Sequence, residues 1–390
     1  MLQELIGKLL VVSSLLSDGD EKITKFLCAT CIKSKSCTLR SAWARLLIDF
    51  DELAEHIDVR DSDGTTWHFV LLFAKADEEC RANEWRLVHW NAADEVCQEC
   101  RANRTTRPYT DLGASAAWRP TAVEFMTQPA YTSRAREPLH PLVNSPYFTR
   151  WFCFIGLMHV MDCKSVTSSV LGGVLRELTR LDTLGPNREQ RMGRINEELA
   201  TWYSAHPGWH RLPRIKLANL VSTDGWSDLH SPAVKAANTR ASVPAFLYLC
   251  RKYLTSGSRL HICIVQLMRR LNDFYTILYR AGMFLSDDEM DRLRAATVGF
   301  GELYMELREI ARLAGELSWP VRPKHHRMQH LVAAAKLINP IHCQCYMEES
   351  QIGTTVKVWK RSMSGRYKKG VVRNVLTKRI TALMLRLHGV

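Results

Sequence analysis

No stretch of the 390 residues approaches the roughly 20 consecutive apolar side chains that a membrane-spanning helix needs. The opening "MLQELIGKLLVVSSLLS" has an apolar middle, but a glutamate precedes it and the acidic "SDGDE" follows, with no small-residue cleavage pattern. That argues for an N-terminal helix or strand and against a targeting segment. Internal repeats and low-complexity tracts are lacking too, which excludes solenoids, propellers and a disordered polymer. The most telling absence is of acid: residues 350–390 hold ten Lys or Arg and no Asp or Glu. Of 53 basic and 40 acidic residues in all, 43 and 40 are left for the other 349 positions, so the net charge of +13 is regional. A regional positive field points to nucleic acid or an anionic membrane surface, and with a 46% hydrophobic fraction the rest reads as an ordinary globular chain.

Twelve cysteines without a cleavable leader imply a reducing compartment, in which clustered thiols suggest metal and scattered ones suggest core. Cys153, Cys163, Cys250 and Cys263 are scattered. Cys97 and Cys100, in "CQEC", form a Cys-x-x-Cys pair able to hold one tetrahedral zinc from a tight turn. Cys28 and Cys31, in "CATC", have the same spacing but lie in a segment of helical periodicity and read as core thiols. In "RPKHHRMQH" the helix-starting Pro323 precedes His326 and His330, four residues apart and therefore on one helix face. With Cys97 and Cys100 they would complete a Cys₂His₂ zinc site. The alternative is a pair of histidines lining a polar groove or capping the packing.

Apolar periodicity predicts helices over most of residues 1–64, including "DEKITKFLCAT" and "SAWARLLIDFDELAEHI". The continuous run "TTWHFVLLFA" predicts a buried strand that delivers Asp77 at its end. Residues 101–146 read as a long connection. Helices are predicted from Lys164 to Thr179, between "GP" at 185 and "PG" at 207, and through Pro244 to Leu317, with "SDDE" at 286–289 as a capping box. The pattern is mostly α with a minority of strand. It divides into a helical segment 1–64, a strand-containing part 65–180, a helical part 181–320 and the closing segment 321–390.

Four acids stand where they could converge on cations: Asp77, Asp162 in "LMHVMDCK", and Glu348 with Glu349 in "CYMEES". Two or three such groups can hold Mg²⁺ and activate water or a 3′ hydroxyl for attack on phosphorus. In the plain reading Asp77 begins a helix and Glu348 pairs with a nearby Arg. The basic arm supplies Lys357, Lys360, Arg361, Arg366, Lys368, Lys369, Arg373, Lys378 and Arg379 for phosphates, with Trp359 and Tyr367 available to stack. Val371, Val375, Leu376, Ile380, Leu383 and Leu387 recur at helical spacing, so the arm reads as a basic helix with one docking face.

The order of these features, an acid-ended strand, Cys-x-x-Cys, "LMHVMDCK" with "LGGVL", "HRLPRIKL", a long helical region, "RPKHHRMQH" and an acid pair, resembles the cut-and-paste DNA transposases of CACTA type. It also looks like the transposon-derived proteins present in many copies in dinoflagellate genomes. The resemblance spans most of residues 60–390. It implies an α+β, predominantly α fold, with an RNase H-like sheet core, a large helical insertion and a basic C-terminal helix. It further implies Mg²⁺-dependent strand cleavage and transfer by Asp77, Asp162 and Glu348 or Glu349, and a structural zinc on Cys97, Cys100, His326 and His330. DNA as partner, a nuclear location and self-association into a homo-oligomer go with it. A second reading is a zinc-stabilised nucleic-acid-binding protein without chemistry, and a third is a helical scaffold for an acidic protein.

Overall fold

The structure is a computed structural model. It describes, side chains included, residues 78–145, 148–150, 153–220, 226–229 and 234–344, with Ala44, Leu47 and Ile48, and otherwise the backbone of five short strands before residue 77. The chain divides into two compact units, the larger formed by Phe73–Leu139 with Pro146–Gln344.

In the smaller unit, β1 (Leu9–Ser14) pairs antiparallel with β2 (Thr24–Thr30), and β3 (Val59–Arg60) with β4 (Thr66–Trp67). The strand β2 corrects the helical reading of "DEKITKFLCAT": its Thr, Phe and Leu residues suit a pleated backbone once β1 offers a ladder of partners. Cys28 therefore lies in a strand.

The larger unit is helical. After β5 (Ala74–Ala76) come α1 (Glu78–Asn83), α2 (Gln128–Thr132), β6 (Cys153–Ile155), α3 (Val166–Leu178) and α4 (Arg188–Ala205). Then follow α5 (Ala236–Ala241), α6 (Val243–Tyr253), α7 (Arg259–Arg280), α8 (Asp287–Leu313) and α9 (Pro323–Ala334). Strands β5 and β6 pair in parallel over three residues, and no described strand has more than one partner. The expected RNase H-like sheet core is thus overturned: among the described residues there is no sheet wider than two strands. The run "CFIGLMHVMD" explains why. It keeps an extended backbone for only three residues and then winds into a buried turn of π-helix at Met158–Asp162, closed by the Cys163 N–H donating to Met158 C=O at 2.8 Å.

The predicted helical region from Pro244 to Leu317 is three helices: the start expected at the Ser286 capping box is there, and a further break falls at Leu254–Ser258. Ser258 caps α7 by accepting from the His261 N–H, and Ser286 caps α8 in a reciprocal box with Glu289. The antiparallel pair α7 and α8 buries Leu267, Leu271, Phe274 and Leu278 against Leu293, Phe300, Tyr304 and Leu307. The same core takes in Val170, Val174 and Leu178 of α3 and Met328 and Leu331 of α9. Helix α9 starts at Pro323, which forfeits no helical hydrogen bond at that position. His325 to Leu331 are all buried, so every side chain of its middle turns must meet protein, the polar ones included. Among the described residues no helix is long and apolar enough to cross a membrane.

Candidate metal centre

Residues 96–102 form a knuckle closed by the Val96 N–H donating to Ala102 C=O at 2.9 Å, which turns both thiols of "CQEC" to one side. The Glu99 N–H points back at Cys97 Sγ, 3.3 Å away. Arg134 ties the knuckle from outside, donating to the carbonyls of Cys97 and Cys100. Opposite, one turn of α9 stacks His326 over His330. Cys97 Sγ lies 3.4 Å from His330 Nε2, Cys100 Sγ lies 3.3 Å from His326 Nε2, and the two Nε2 atoms are 3.1 Å apart. All four donor atoms fall within 4.8 Å of one another, and all four residues are buried.

Zinc bonds of ~2.3 Å to sulfur and ~2.0 to 2.1 Å to imidazole, at tetrahedral angles, require ligand separations of roughly 3.3 to 3.8 Å. The two sulfur–nitrogen distances of 3.4 and 3.3 Å agree with that geometry, and the nitrogen pair is slightly closer. The Cys₂His₂ set can hold a metal ion such as zinc, with both histidines offering Nε2. Nδ1 of each ring is then the protonated nitrogen. His330 Nδ1 sits 3.5 Å from Glu99 Oε2 and 3.4 Å from Arg150 Nη2, and a protonated Nδ1 would have the carboxylate as its acceptor. The edge of Trp118 closes the other side, its ring centroid 4.2 Å from that of His326.

Around the four donors runs a set of buried charges that the spacing of the motifs did not disclose. Arg327 donates to Cys97 Sγ at 3.2 Å and to Glu78 at 2.6 Å. Glu99 lies 3.4 Å from Arg81 and 3.8 Å from Arg150, and Arg81 also donates to Tyr131 Oη at 2.9 Å. Burial alone would raise the Cys97 pKa, but a hydrogen bond from Cys100, the Arg327 guanidinium and the two imidazoles hold it well below the usual thiol value. Burial and the neighbouring Cys97 push Cys100 the other way. Glu99 is kept below its ordinary value because His330, Arg81 and Arg150 outweigh its burial. The signals for these residues were in plain view: Glu99 stands inside Cys-x-x-Cys and Arg327 inside His-x-x-x-His, charges that a buried motif must neutralise.

The adjoining space is small. The cavity lined by Glu99, Arg150, Cys153, Phe154, Ile155 and His330 measures about 10 Å³, room for about one water. Four protein ligands are the number that a closed zinc site uses.

The predicted acids fare differently. Asp162 is 1% exposed, held by the π-helical turn, and accepts a hydrogen bond from the Tyr275 hydroxyl, which is also 2.7 Å from Thr167 Oγ1. It belongs to no cation-holding group among the described residues, so the Mg²⁺ assignment finds no support there. Asp77, Glu348, Glu349, Cys31 and the whole arm from Lys357 to Arg379 lie outside the described residues.

Burial lowers His326 to about 4, and burial with the Arg322 charge lowers His325 to about 3. His325 Nδ1 accepts the Arg322 N–H at 3.1 Å, which the neutral ring alone can do. Both folded values lie below the ordinary 6.5, so on acidification the unfolded chain takes up protons that the native one refuses. In the metal-free protein these two rings are expected to lower stability as the pH falls from 6.5 to about 4, by up to ~1.4 kcal/mol per pH unit for each ring. Urea midpoints measured from pH 7.5 to 4.5 check this, and midpoints that stay level would contradict it.

Compared with protein-family models, curated proteins and solved structures, the chain matches none of them.

Proposed function

We propose that this chain is a zinc-stabilised nucleic-acid-binding protein whose metal is structural. The observation that carries the reading is the convergence of Cys97, Cys100, His326 and His330, all four buried, with their donor atoms within 4.8 Å of one another. The zinc would be held by those four residues and would fasten the 96–102 knuckle to α9. The polymer partner follows from charge: nine cations between Lys357 and Arg379, with no carboxylate among them, give a surface that phosphates neutralise better than any other common cellular polymer. A nuclear location and DNA as the natural partner belong to the same proposal. Descent from CACTA-type transposases enters as ancestry alone, supported by the association of the two motif pairs that the resemblance linked. Strand-transfer chemistry does not enter, since Asp162 is engaged by Tyr275 away from any other acid able to share a cation with it among the described residues.

The test is equilibrium binding of the full chain to random-sequence duplex DNA over a range of salt. Affinity is expected to fall steeply with salt, the log–log slope reaching at most about −8 if all nine arm cations meet phosphates. Exchanging Lys368, Lys369 and Arg373 for Gln should flatten the slope by about 3. Salt-independent binding, or none, would refute the proposal. Magnesium-dependent nicking that is lost in Asp162→Asn would replace it with the catalytic reading.

A further inference from the structure

The segment "HPGWHRLPRIK" at 206–216 leaves α4 and runs back along it. Asn196 fixes it from the helix: its side chain accepts the Ile215 N–H at 2.8 Å and donates to the Ile215 C=O at 2.9 Å. Tyr203 Oη accepts the Leu212 N–H at 3.4 Å, and Asn238 donates to the Arg211 C=O. With its backbone so engaged, the segment leaves His206, Trp209, His210, Arg211, Arg214 and Lys216 exposed. Trp209 is 44% exposed. It is seated edge-on against Trp202, 5.8 Å between centroids, and Trp202 in turn stacks on His206 at 4.0 Å.

Between this segment and α4 lies an open groove of about 320 Å³, lined among others by Asn196, Glu197, Tyr203, Arg211 and Arg214. Among the described residues, Arg211, Arg214 and Lys216 form no ion pair. The one carboxylate in the lining, Glu197, is paired with Arg194 at 3.2 Å. The groove therefore has two unneutralised cations, Arg211 and Arg214, in one wall and polar groups along the helix, while Lys216 and the exposed Trp209 stand outside the lining on the same segment. Cations alone would suit any polyanion. A fixed, exposed indole beside them suits a chain whose bases are free to stack, which duplex DNA does not offer.

We propose that this groove is a binding site for single-stranded nucleic acid, in which Arg211, Arg214 and Lys216 contact phosphates and Trp209 stacks on a base. It rests on the reading of the chain as a nucleic-acid-binding protein, and adds to the C-terminal arm a second contact surface with a preference for single strands. The fixed backbone makes the site ready-formed, so little ordering cost is set against binding.

The experiment uses the full chain and a fluorescein-labelled random single-stranded 12-mer, with anisotropy read from 50 to 300 mM NaCl. Exchanging Arg211, Arg214 and Lys216 for Gln is expected to reduce the log–log salt slope by about 2, from ~0.7 per phosphate contact on a single strand. Trp209→Leu is expected to weaken binding about tenfold at unchanged slope. In the wild type, a 4-thiouridine-containing 12-mer should photocrosslink to the peptide that carries Trp209, a readout independent of any variant's folding. If both variants bind as the wild type does while the Lys368, Lys369 and Arg373 variant loses affinity, the groove is not a site and the wider reading survives. If the wild type binds neither this strand nor duplex, both fall. Displacement of the crosslink by poly-glutamate or by phosphatidylserine vesicles at equal charge concentration would also overturn the proposal, since the groove would then read charge alone.

Discussion

Cys97→Ser is expected to take the purified chain from about one zinc per molecule to almost none, and to lower its melting temperature to that of wild type treated with a chelator. The argument is electrostatic as much as geometric. Two imidazole nitrogens stand 3.1 Å apart beside two buried sulfurs, one of which, Cys97, is held well below the usual thiol pKa by its neighbours. A cation in the middle replaces that arrangement of mutually repelling lone pairs with four bonds. Its charge is balanced by two thiolates, which leaves Arg327 to Glu78 and Cys97, and Glu99 to Arg81, Arg150 and His330. The stabilisation depends on free zinc through mass action, reaching about 4 kcal/mol when the ion stands a thousandfold above its Kd. For a unit of this size that is a shift of roughly 8 to 16 °C. Metal analysis and thermal unfolding with and without chelator decide the matter. His330→Cys serves as the control, because Cys₃His is also a common structural ligand set and should retain the metal. A wild type that purifies metal-free, or whose melting ignores both chelator and added zinc, would show the four residues to be ordinary core.

That site was legible in the sequence to an unusual degree, and for a local reason. Spacings of three and four residues state which side chains share a turn or a helix face without any knowledge of the fold. What spacing cannot state is that Cys97 and His330, 233 positions apart, meet; the pairing was suggested by zinc's need for four ligands, and the resemblance implied the same set. Arg327 and Glu99 were missed because charge says nothing of burial until the helix is placed. Helices α4, α8 and α9 were likewise marked by their own caps and breakers, while the region before α8 needed one extra break, at Leu254–Ser258. The sheet failed because short apolar runs carry no period to separate a strand from a buried turn. "CFIGLMHVMD" satisfies its apolar side chains equally well in a π-helical turn, and in the structure Asp162 accepts a hydrogen bond from the Tyr275 hydroxyl there.

The two glycines of "LGGVL" are expected to respond to substitution in the opposite sense to a third glycine one helix later. A Cβ built on Gly172 would stand 2.4 Å from the Asp228 Cα and 2.6 Å from its carbonyl carbon, and one on Gly173 would stand 2.7 Å from the Trp319 ring. The backbone it would strike has little freedom to retreat. Leu229 N–H donates to Ser168 C=O at 3.0 Å, Asp228 N–H to Leu220 C=O at 3.1 Å, and Ser227 N–H to Leu317 C=O at 3.2 Å, while the Asp228 carboxylate is paired with Arg322. Gly172→Ala gains about 1 kcal/mol in helix propensity, but must then separate α3 from that segment, at a cost in the upper part of the range for overpacked cores or beyond it. The expected net loss is about 2 to 3 kcal/mol, or roughly 4 to 12 °C in melting temperature. Gly193 lies inside α4 with no atom within 4 Å of its prospective Cβ, so Gly193→Ala should stabilise by about 0.5 to 1 kcal/mol. Chemical denaturation of the two variants beside wild type settles both signs, and a Gly172→Ala protein as stable as Gly193→Ala would mean that α3 does not press against residues 227–229.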